Sequence, residues 1–425
     1  MGKLFGTSGI RREVSELPPG FAIRLGQALG TVTEFDTVAV GRDTRKSGPL
    51  LESAFISGVL STGRSVVEVG VVATPTVGVA TTEYGVGVMV TASHNPADWN
   101  GFKFWGRHGA FRPGEEEGVE DALDSGVFKT GAGGERKEDY VGRHVELILD
   151  RVGGVDRNVK VLLDCGGGSG SSITPKLLEA MGCTVTVIND NTDGVFPHPL
   201  EPTEKNLEET CRLVKKGGYD IALAHDGDAD RTAAIDSQGR LIEWDSYLTA
   251  LAYGLDTVVT TVDASMRIEE VCKKVVRVPV GDVAVAEGIR QHDADFGGEP
   301  SGTYIFPDVH IYPDGVATAA KTVKLVSEGR FYEILLEIPT YPVQRVKIPC
   351  PDGVKDKIMK TLENVVTSEY STTDGIRIQE EDAWMLIRPS GTEPYMRITA
   401  EARDRDKLEE IVGRGRGWLR QAGLG

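Results

Sequence analysis

Short apolar runs, each closing on a polar cluster, recur along this 425-residue chain. Val38-Ala39-Val40-Gly41-Arg42-Asp43, Val161-Leu162-Leu163-Asp164-Cys165-Gly166 and Val258-Val259-Thr260-Thr261-Val262-Asp263 share one build. In each, an apolar stretch of strand length ends at or near an aspartate, and a loop of small residues then opens a helical stretch. Apolar runs of roughly four to eight residues read as strands buried on both faces, as in sheets covered by helices. The aspartates at 43, 164 and 263 stand 121 and 99 residues apart, which predicts three α/β units of similar build. Two more apolar runs, 86–90 and 221–224, are strands that also deliver polar loops.

Beyond Pro339-Thr340-Tyr341-Pro342, which reads as a linker, the pattern changes. A strand over 343–348, a helix over 354–363, two strands around 384–401 and a helix from about Lys407 give a β-α-β-β-α module. Turn-forming clusters at Gly131-Ala132-Gly133-Gly134, Asp156-Arg157-Asn158 and Glu243-Trp244-Asp245 divide the rest. The expected domains are 1–150, 151–244, 245–340 and 341–425: three similar α/β domains and a smaller α+β C-terminal domain.

Composition narrows the function classes. The chain is 40% hydrophobic and 26% charged, as in soluble globular proteins. No apolar run approaches the ~18 residues of a membrane span, and Met1-Gly2-Lys3-Leu4-Phe5-Gly6 lacks a signal-peptide hydrophobic region. Five dispersed cysteines without a CxxC pair fit reduced thiols, so a cytoplasmic location is expected. A net charge of −17 argues against nucleic-acid and acidic-membrane partners. An anionic small substrate would then require a locally basic pocket.

Candidate chemistry sits in four loops. Thr91-Ala92-Ser93-His94-Asn95-Pro96 follows the 86–90 strand and precedes Asn100-Gly101-Phe102-Lys103. The Asn-Pro step forces a turn that presents Ser93 beside His94. Asp226-Gly227-Asp228-Ala229-Asp230-Arg231 follows the 221–224 strand. Three alternating carboxylates can converge on one hard cation, with Mg²⁺ favoured over zinc or copper. An EF-hand is excluded, since counting from Asp226 puts Arg231 and Ser237 where that loop needs glycine and glutamate. Arg388-Pro389-Ser390-Gly391-Thr392-Glu393-Pro394, with Arg397 beyond, can ring a phosphate with hydroxyls, amides and guanidinium groups. Gly297-Gly298-Glu299-Pro300-Ser301-Gly302 places a carboxylate and a hydroxyl where sugar hydroxyls need directional partners. Gly166-Gly167-Gly168-Ser169-Gly170 fails the GxGxxG dinucleotide template and reads as a turn packing a helix close to its strand. Of seven histidines only His94 falls in a constellation; His144 and His198 read as core or surface residues.

Taken together and in order, the four loops resemble those of the α-D-phosphohexomutase family, and Phe5-Gly6-Thr7-Ser8-Gly9-Ile10-Arg11 is a fifth match. The resemblance spans nearly the whole chain. It implies four domains with mixed sheets around a central cleft, each giving one loop. It implies Ser93 as a phosphoserine beside His94, and Mg²⁺ on Asp226, Asp228, Asp230 and the Ser93 phosphate. Arg11, Lys103 and Arg231 would surround the transferring phosphoryl group, with Lys103 and His94 as candidate general bases. Glu299 and Ser301 would read sugar hydroxyls, while Arg388, Ser390, Gly391, Thr392 and Arg397 would grip the other phosphate.

The implied partner is a phosphosugar, with a sugar 1,6-bisphosphate as intermediate and activator; the sequence is silent on oligomeric state. Three departures from the family pattern stand out, of which the second and third remove polar groups from the sugar side of the cleft. Arg12 stands where glycine is frequent, Val283 where Gly281-Asp282 is often followed by arginine, and Thr303 where histidine often follows Gly-Glu-x-Ser-Gly. The string from Gly298 to Pro307 is most similar to archaeal members acting on glucosamine or mannose phosphates. Interconversion of glucosamine 6-phosphate and 1-phosphate is the leading expectation. Mannose or glucose phosphates are the near alternative, and metal-dependent phosphosugar hydrolysis the distant one.

Overall fold

The structure is a computed structural model that describes residues 4–6, 9–390 and 393–424. Four sheets follow one another along the chain. The first runs in the order Ile10–Glu13, Trp99–Gly106, Val86–Val90, Thr37–Arg42, Ser65–Val71, Glu135–Lys137. Its last four strands are mutually parallel, and Trp99–Gly106 is antiparallel to both of its neighbours. All five residues of Val86–Val90 are buried, as a continuous apolar run in a helix-covered sheet should be.

The second sheet orders Thr232–Asp236, Ile221–His225, Lys160–Asp164, Thr184–Ile188, and the third orders Tyr304–Ile305, Phe296–Gly298, Thr257–Thr261, Lys274–Val278. Both repeat the heart of the first: three parallel strands and one antiparallel strand at the same edge. The three aspartate-terminated runs therefore occupy one equivalent strand in three similar α/β units.

The fourth sheet is wholly antiparallel, ordered Val343–Pro349, Tyr395–Ala402, Ala383–Pro389, Ile376–Gln379. Two helices, Lys355–Val365 and Arg405–Gln421, cover it, and Asp404 caps the second by accepting from Lys407 N at 2.9 Å. The module is thus β-α-β-β-β-α, one strand more than the sequence pattern predicts. The extra strand, Ile376-Arg377-Ile378-Gln379, is four residues long and alternates only once. Its arginine is 7% exposed because it docks on the third unit, donating Nε to Val262 O at 2.9 Å.

Four loops make the same kind of connection. Residues 91–98, 226–231, 299–303 and 390–394 each join two antiparallel neighbours. In the first three, the incoming strand runs parallel to the strand that ends at or one or two residues before Asp43, Asp164 or Asp263. Carboxyl ends of parallel strands are where α/β sheets bind ligands. Helix Gly315–Ser327 buries ten of its thirteen residues, so it packs on the second unit and its own at once, and one apolar cluster spans both. Among the described residues no helix is long and apolar enough to cross a membrane.

Candidate active site

Ser93 sits at φ 52°, a left-handed conformation that costs a residue with a Cβ about 1 kcal/mol or more. Its loop is held there by Arg45, a buried cation that the sequence pattern does not flag. Arg45 donates to Ser93 O and Asn95 O, both at 2.7 Å, to Trp99 O at 3.0 Å, and to Pro96 O. Asp43 balances that charge through Arg45 Nε at 3.0 Å and accepts from Thr91 Oγ1 at 2.6 Å. Thr91 Oγ1 in turn accepts from Ser93 N at 2.9 Å. The aspartate closing the first apolar run is thus a strut of the serine loop.

Ser93 Oγ donates to Asp226 Oδ2 at 2.7 Å and lies 3.3 Å from His94 Nδ1. His94 Nε2 lies 3.2 Å from Glu201, whose other oxygen is 3.7 Å from Arg231. Glu201 comes from a loop with no spacing signal, so sequence reasoning misses it. Burial, then the charges of Arg231, Arg11 and Lys103, push the His94 imidazolium down to about 3. Arg11 reaches the same loop, donating to Asn95 Oδ1 at 3.4 Å.

Asp226, Asp228 and Asp230 converge so that one carboxylate oxygen from each lies within 4.8 Å of the others. Ala229 takes φ 54° between them, and Thr74 of the first unit donates to Asp228 Oδ2. Lys103 spans two of the three, 2.6 Å from Asp228 Oδ2 and 2.5 Å from Asp230 Oδ2. This ammonium and the nearby guanidinium of Arg231 cannot together neutralise three carboxylates. Burial, then Asp230 and Asp228, raise Asp226 well above the usual carboxylate range. Burial acts the same way on Asp228, but the charge and hydrogen bond of Lys103, with Thr74, hold it below that range. Asp228 Oδ1 and Asp230 Oδ1 are buried without a hydrogen-bond partner. Orphaned carboxylate oxygens in an all-oxygen set are what a hard divalent cation satisfies, so these residues fit one.

The glycine run 166–170 serves close helix packing, since a Cβ on Gly170 would stand 2.8 Å from His225 of the 221–225 strand, and it does one thing more. Ser169 N donates to Gly227 O at 2.9 Å, and a Cβ on Gly168 would stand 2.6 Å from Gly227 O. The run is a seat for the aspartate loop.

A second group, His144, His310 and Asp314, also brings three ligand-type atoms together. His310 Nδ1 accepts from Tyr312 N at 3.2 Å, which leaves the proton on Nε2, 3.0 Å from Asp314 Oδ2. A protonated nitrogen ligates no metal. His144 Nε2 is also 3.0 Å from Asp314, and its Nδ1 is 3.0 Å from Thr76 Oγ1. This cluster therefore reads as a buried joint between units; although burial opposes it, the two histidines hold Asp314 well below the usual range.

Arg11, His94, Asp230, Arg231, Glu299 and Ser301 face one cavity of about 510 Å³ between the first three units. The aspartate and glutamate loops are stitched together by an antiparallel bridge between Arg231 and Thr303 and by Thr232 N donating to Gly302 O at 3.3 Å. Glu299 accepts from Gly281 N at 2.9 Å, and Ser301 Oγ is 3.4 Å from Thr303 Oγ1. Burial, then Asp282, push Glu299 up to about 7.

Arg388, Ser390 and Arg397 are not on that cavity wall. Arg388 and Arg397 stand directly opposite on adjacent strands, a like-charge pair that asks for an anion. Arg388 donates to Asp374 at 3.0 Å; Arg397 donates to Ser390 Oγ at 2.9 Å and Glu393 at 2.7 Å. Arg397 Nε is buried and unpartnered. Lys355, also invisible to sequence reasoning, ties the loop by donating to Ser390 O at 2.5 Å and Glu393 O at 2.7 Å. Gly391 and Thr392 lie outside the described residues. Asp374 also accepts from Val280 N at 3.2 Å, linking the fourth unit to a residue of the cavity wall.

Four family descriptions match in succession. Phosphoglucomutase/phosphomannomutase alpha/beta/alpha domains I, II and III match residues 2–129, 139–239 and 243–341, and the C-terminal domain matches 346–414. A probable phosphoglucosamine mutase from Methanopyrus kandleri is 44% identical over 435 residues, covering 97% of this chain and 96% of that protein. A phosphoglucosamine mutase from Methanocaldococcus jannaschii is 40% identical over 442 residues, covering 98% of each. Among solved structures, a phosphoglucomutase/phosphomannomutase family protein from Burkholderia thailandensis superposes with a TM-score of 0.91 at 26% identity, covering 100% of this chain and 98% of that one.

Proposed function

The chain belongs to the phosphoglucomutase/phosphomannomutase family, and on that premise we propose that it interconverts glucosamine 6-phosphate and glucosamine 1-phosphate. It is an enzyme of the phosphohexomutase class. The choice of sugar rests on the archaeal relatives at 40 to 44% identity, which carry that name. The observation that carries the chemistry is Ser93 Oγ, held 2.7 Å from an aspartate set with orphaned buried oxygens.

In this reading phospho-Ser93 gives its phosphoryl group to the free hydroxyl of a bound sugar monophosphate. The P–Oγ bond breaks, a P–O bond to the sugar forms, and the resulting 1,6-bisphosphate turns over and returns its other phosphate to Ser93. The same bisphosphate, added as activator, reloads an empty serine. Phosphoryl transfer asks for alignment and for neutralisation of equatorial charge rather than covalent help. Mg²⁺ on Asp226, Asp228 and Asp230 and on the Ser93 phosphate would supply part of that neutralisation. Arg11, Arg231 and Lys103 supply the rest.

The sugar hydroxyl must lose a proton. Lys103 is engaged by two carboxylates as an ammonium. His94 presents Nδ1 toward Ser93 while Glu201 takes its Nε2 side, but its imidazolium is held down to about 3, so geometry speaks for His94 and basicity against it, and both groups stand as candidates. Glu299 and Ser301 would take sugar hydroxyls, and Arg388, Ser390, Gly391, Thr392 and Arg397 the phosphate not being transferred, holding either end of the sugar alike. The test is a coupled assay with glucosamine, mannose and glucose 6-phosphates, each with catalytic 1,6-bisphosphate. The highest kcat/KM is expected for the glucosamine ester; preference for mannose or glucose would overturn the assignment.

A further inference from the structure

The cavity wall contributed by the third unit carries three carboxylates, Asp263, Asp282 and Glu299, and no lysine or arginine. Two of them have an evident occupation. Asp263 accepts from Thr261 Oγ1 at 2.6 Å, and Glu299 accepts from Gly281 N at 2.9 Å. Asp282 has neither. It is only 9% exposed, yet it lines the cavity. Its only hydrogen bond among the described residues comes from the backbone of Val283, next in the chain, and no described cation forms an ion pair with it. A largely buried carboxylate with one backbone hydrogen bond and no ion pair is stabilised when a cation joins it. Burial raises its pKa, which Lys103 and Arg11 lower from a distance and Asp230 raises.

The backbone aims this side chain deliberately. Asp282 is the first residue of helix Asp282–His292, and its N-cap, Gly281, takes φ 132°, a conformation open to glycine and strained for other residues. An acidic residue in a first helical turn is common for dipole reasons alone. That explanation predicts a solvated side chain, not one buried against a substrate-sized cavity.

On the wall of the first two units the same cavity carries Arg11, Arg12 and Arg231 together with Asp230, whereas the third unit contributes carboxylates without a cation. A 2-amino sugar phosphate adds an ammonium to the ring whose hydroxyls Glu299 and Ser301 of that third-unit wall are proposed to take. We infer that Asp282 is a specificity-determining residue that pairs with the protonated 2-amino group of the substrate, with Asp263 and Glu299 reinforcing the field, so that the enzyme selects free amino sugars over neutral and N-acetylated ones. The inference rests on the glucosamine reading above and names the contact that would produce it. The competing role is internal: Asp282 could serve only to hold Lys103 once a cation engages the aspartates. In that case its loss would cost every sugar alike.

The experiment measures kcat/KM for glucosamine 6-phosphate and glucose 6-phosphate, which differ only at C2, in the unaltered enzyme and in Asp282→Asn. The glucosamine-to-glucose ratio should fall about tenfold or more in the variant, equivalent to ~1.4 kcal/mol. A ratio unchanged within about twofold, with both constants falling together, overturns the inference and supports the Lys103 role. A second arm needs no variant. In the unaltered enzyme the same ratio should fall as pH rises through the ionisation of the amine, about 8 for an α-amino-like group. Ionisations shared by the two reactions, including Asp263, Glu299, Asp230 and Lys103, cancel in that ratio. A flat ratio across that range overturns the inference even if Asp282→Asn does not fold. An unaltered enzyme that does not favour glucosamine phosphate overturns the substrate reading itself, which is read from a different number than the variant's ratio.

Discussion

The aspartate loop of the second unit and the Ser390 loop of the fourth each join two antiparallel strands, the first at the edge of its sheet and the second at the centre. They are prepared for ligands of opposite sign. At the first, three buried carboxylates share one lysine, and two of their oxygens have no partner. At the second, two arginines face each other across the strands, each occupied by a carboxylate, and one Nε has no partner. The first loop, even with Lys103 and Arg231, has fewer cations than carboxylates. The second holds its cations in internal pairs that the proposed phosphate would have to displace or join. What is missing from a buried polar cluster thus predicts the charge of what binds there, more directly than which residues are present.

The largest effect should come from the group both loops are proposed to serve. Ser93→Ala removes the proposed phosphoryl carrier, so mutase turnover should fall by about 10⁴-fold or more, and the phosphorylated mass of the intact protein should vanish. Full isomerase activity in that variant would end the phosphoserine reading. Asp228→Asn should cost about 10²- to 10³-fold in kcat, since neutralisation of the transferring group is worth several kcal/mol. The same variant breaks the comparison cleanly in binding. In the unaltered protein, Mg²⁺ and inorganic phosphate should each raise the thermal midpoint. Asp228→Asn should abolish the Mg²⁺ shift and keep the phosphate shift. Arg388→Ala should do the reverse and raise KM about 10- to 100-fold for every phosphosugar equally, because it meets phosphate and not the ring. Loss confined to one sugar, or both shifts vanishing in either variant, would mean that the two loops are not independent sites.

How far this contrast was readable in the sequence depends on the range of the contacts. The four loops and the apolar strands before them are local patterns, and the structure has strands at each expected run. The repeated aspartate at 43, 164 and 263 was visible as a spacing, and the three sheets show why: it stands at the end of the equivalent strand or one or two residues beyond it each time. What each aspartate does was not visible, because its partners come from elsewhere in the chain. Asp43 needs Thr91, and Asp164 needs Thr210 and Asn189. Arg45, Glu201, Lys355 and Asp374 escaped for the same reason. Each acts on a loop that is 14 or more residues away in sequence, through main-chain oxygens or a single side chain, and leaves no periodicity. Arg45 had one faint signal, a second arginine within two residues of an aspartate that closes a buried strand. The strand Ile376–Gln379 escaped because four residues are too few for alternation to stand out.

The smallest expected effect asks which side of the comparison the Glu299 loop belongs to. Burial and the neighbouring Asp282 push Glu299 up to about 7 in the folded protein, above the ~4.3 of an unfolded glutamate. Between those values the folded state keeps a proton that the unfolded chain has released, so stability falls as pH rises through this window and levels off above it. Glu299→Gln cannot ionise and should lack that part of the decline. The thermal midpoint of the variant relative to the unaltered protein should therefore climb between pH 5 and pH 8, on the order of a few °C. Parallel curves would mean that the charge on Glu299 is already compensated. A difference that grows with pH, and shrinks when an amino sugar phosphate is added, would put this loop with the aspartate loop, as a second place in the cleft that is short of a cation.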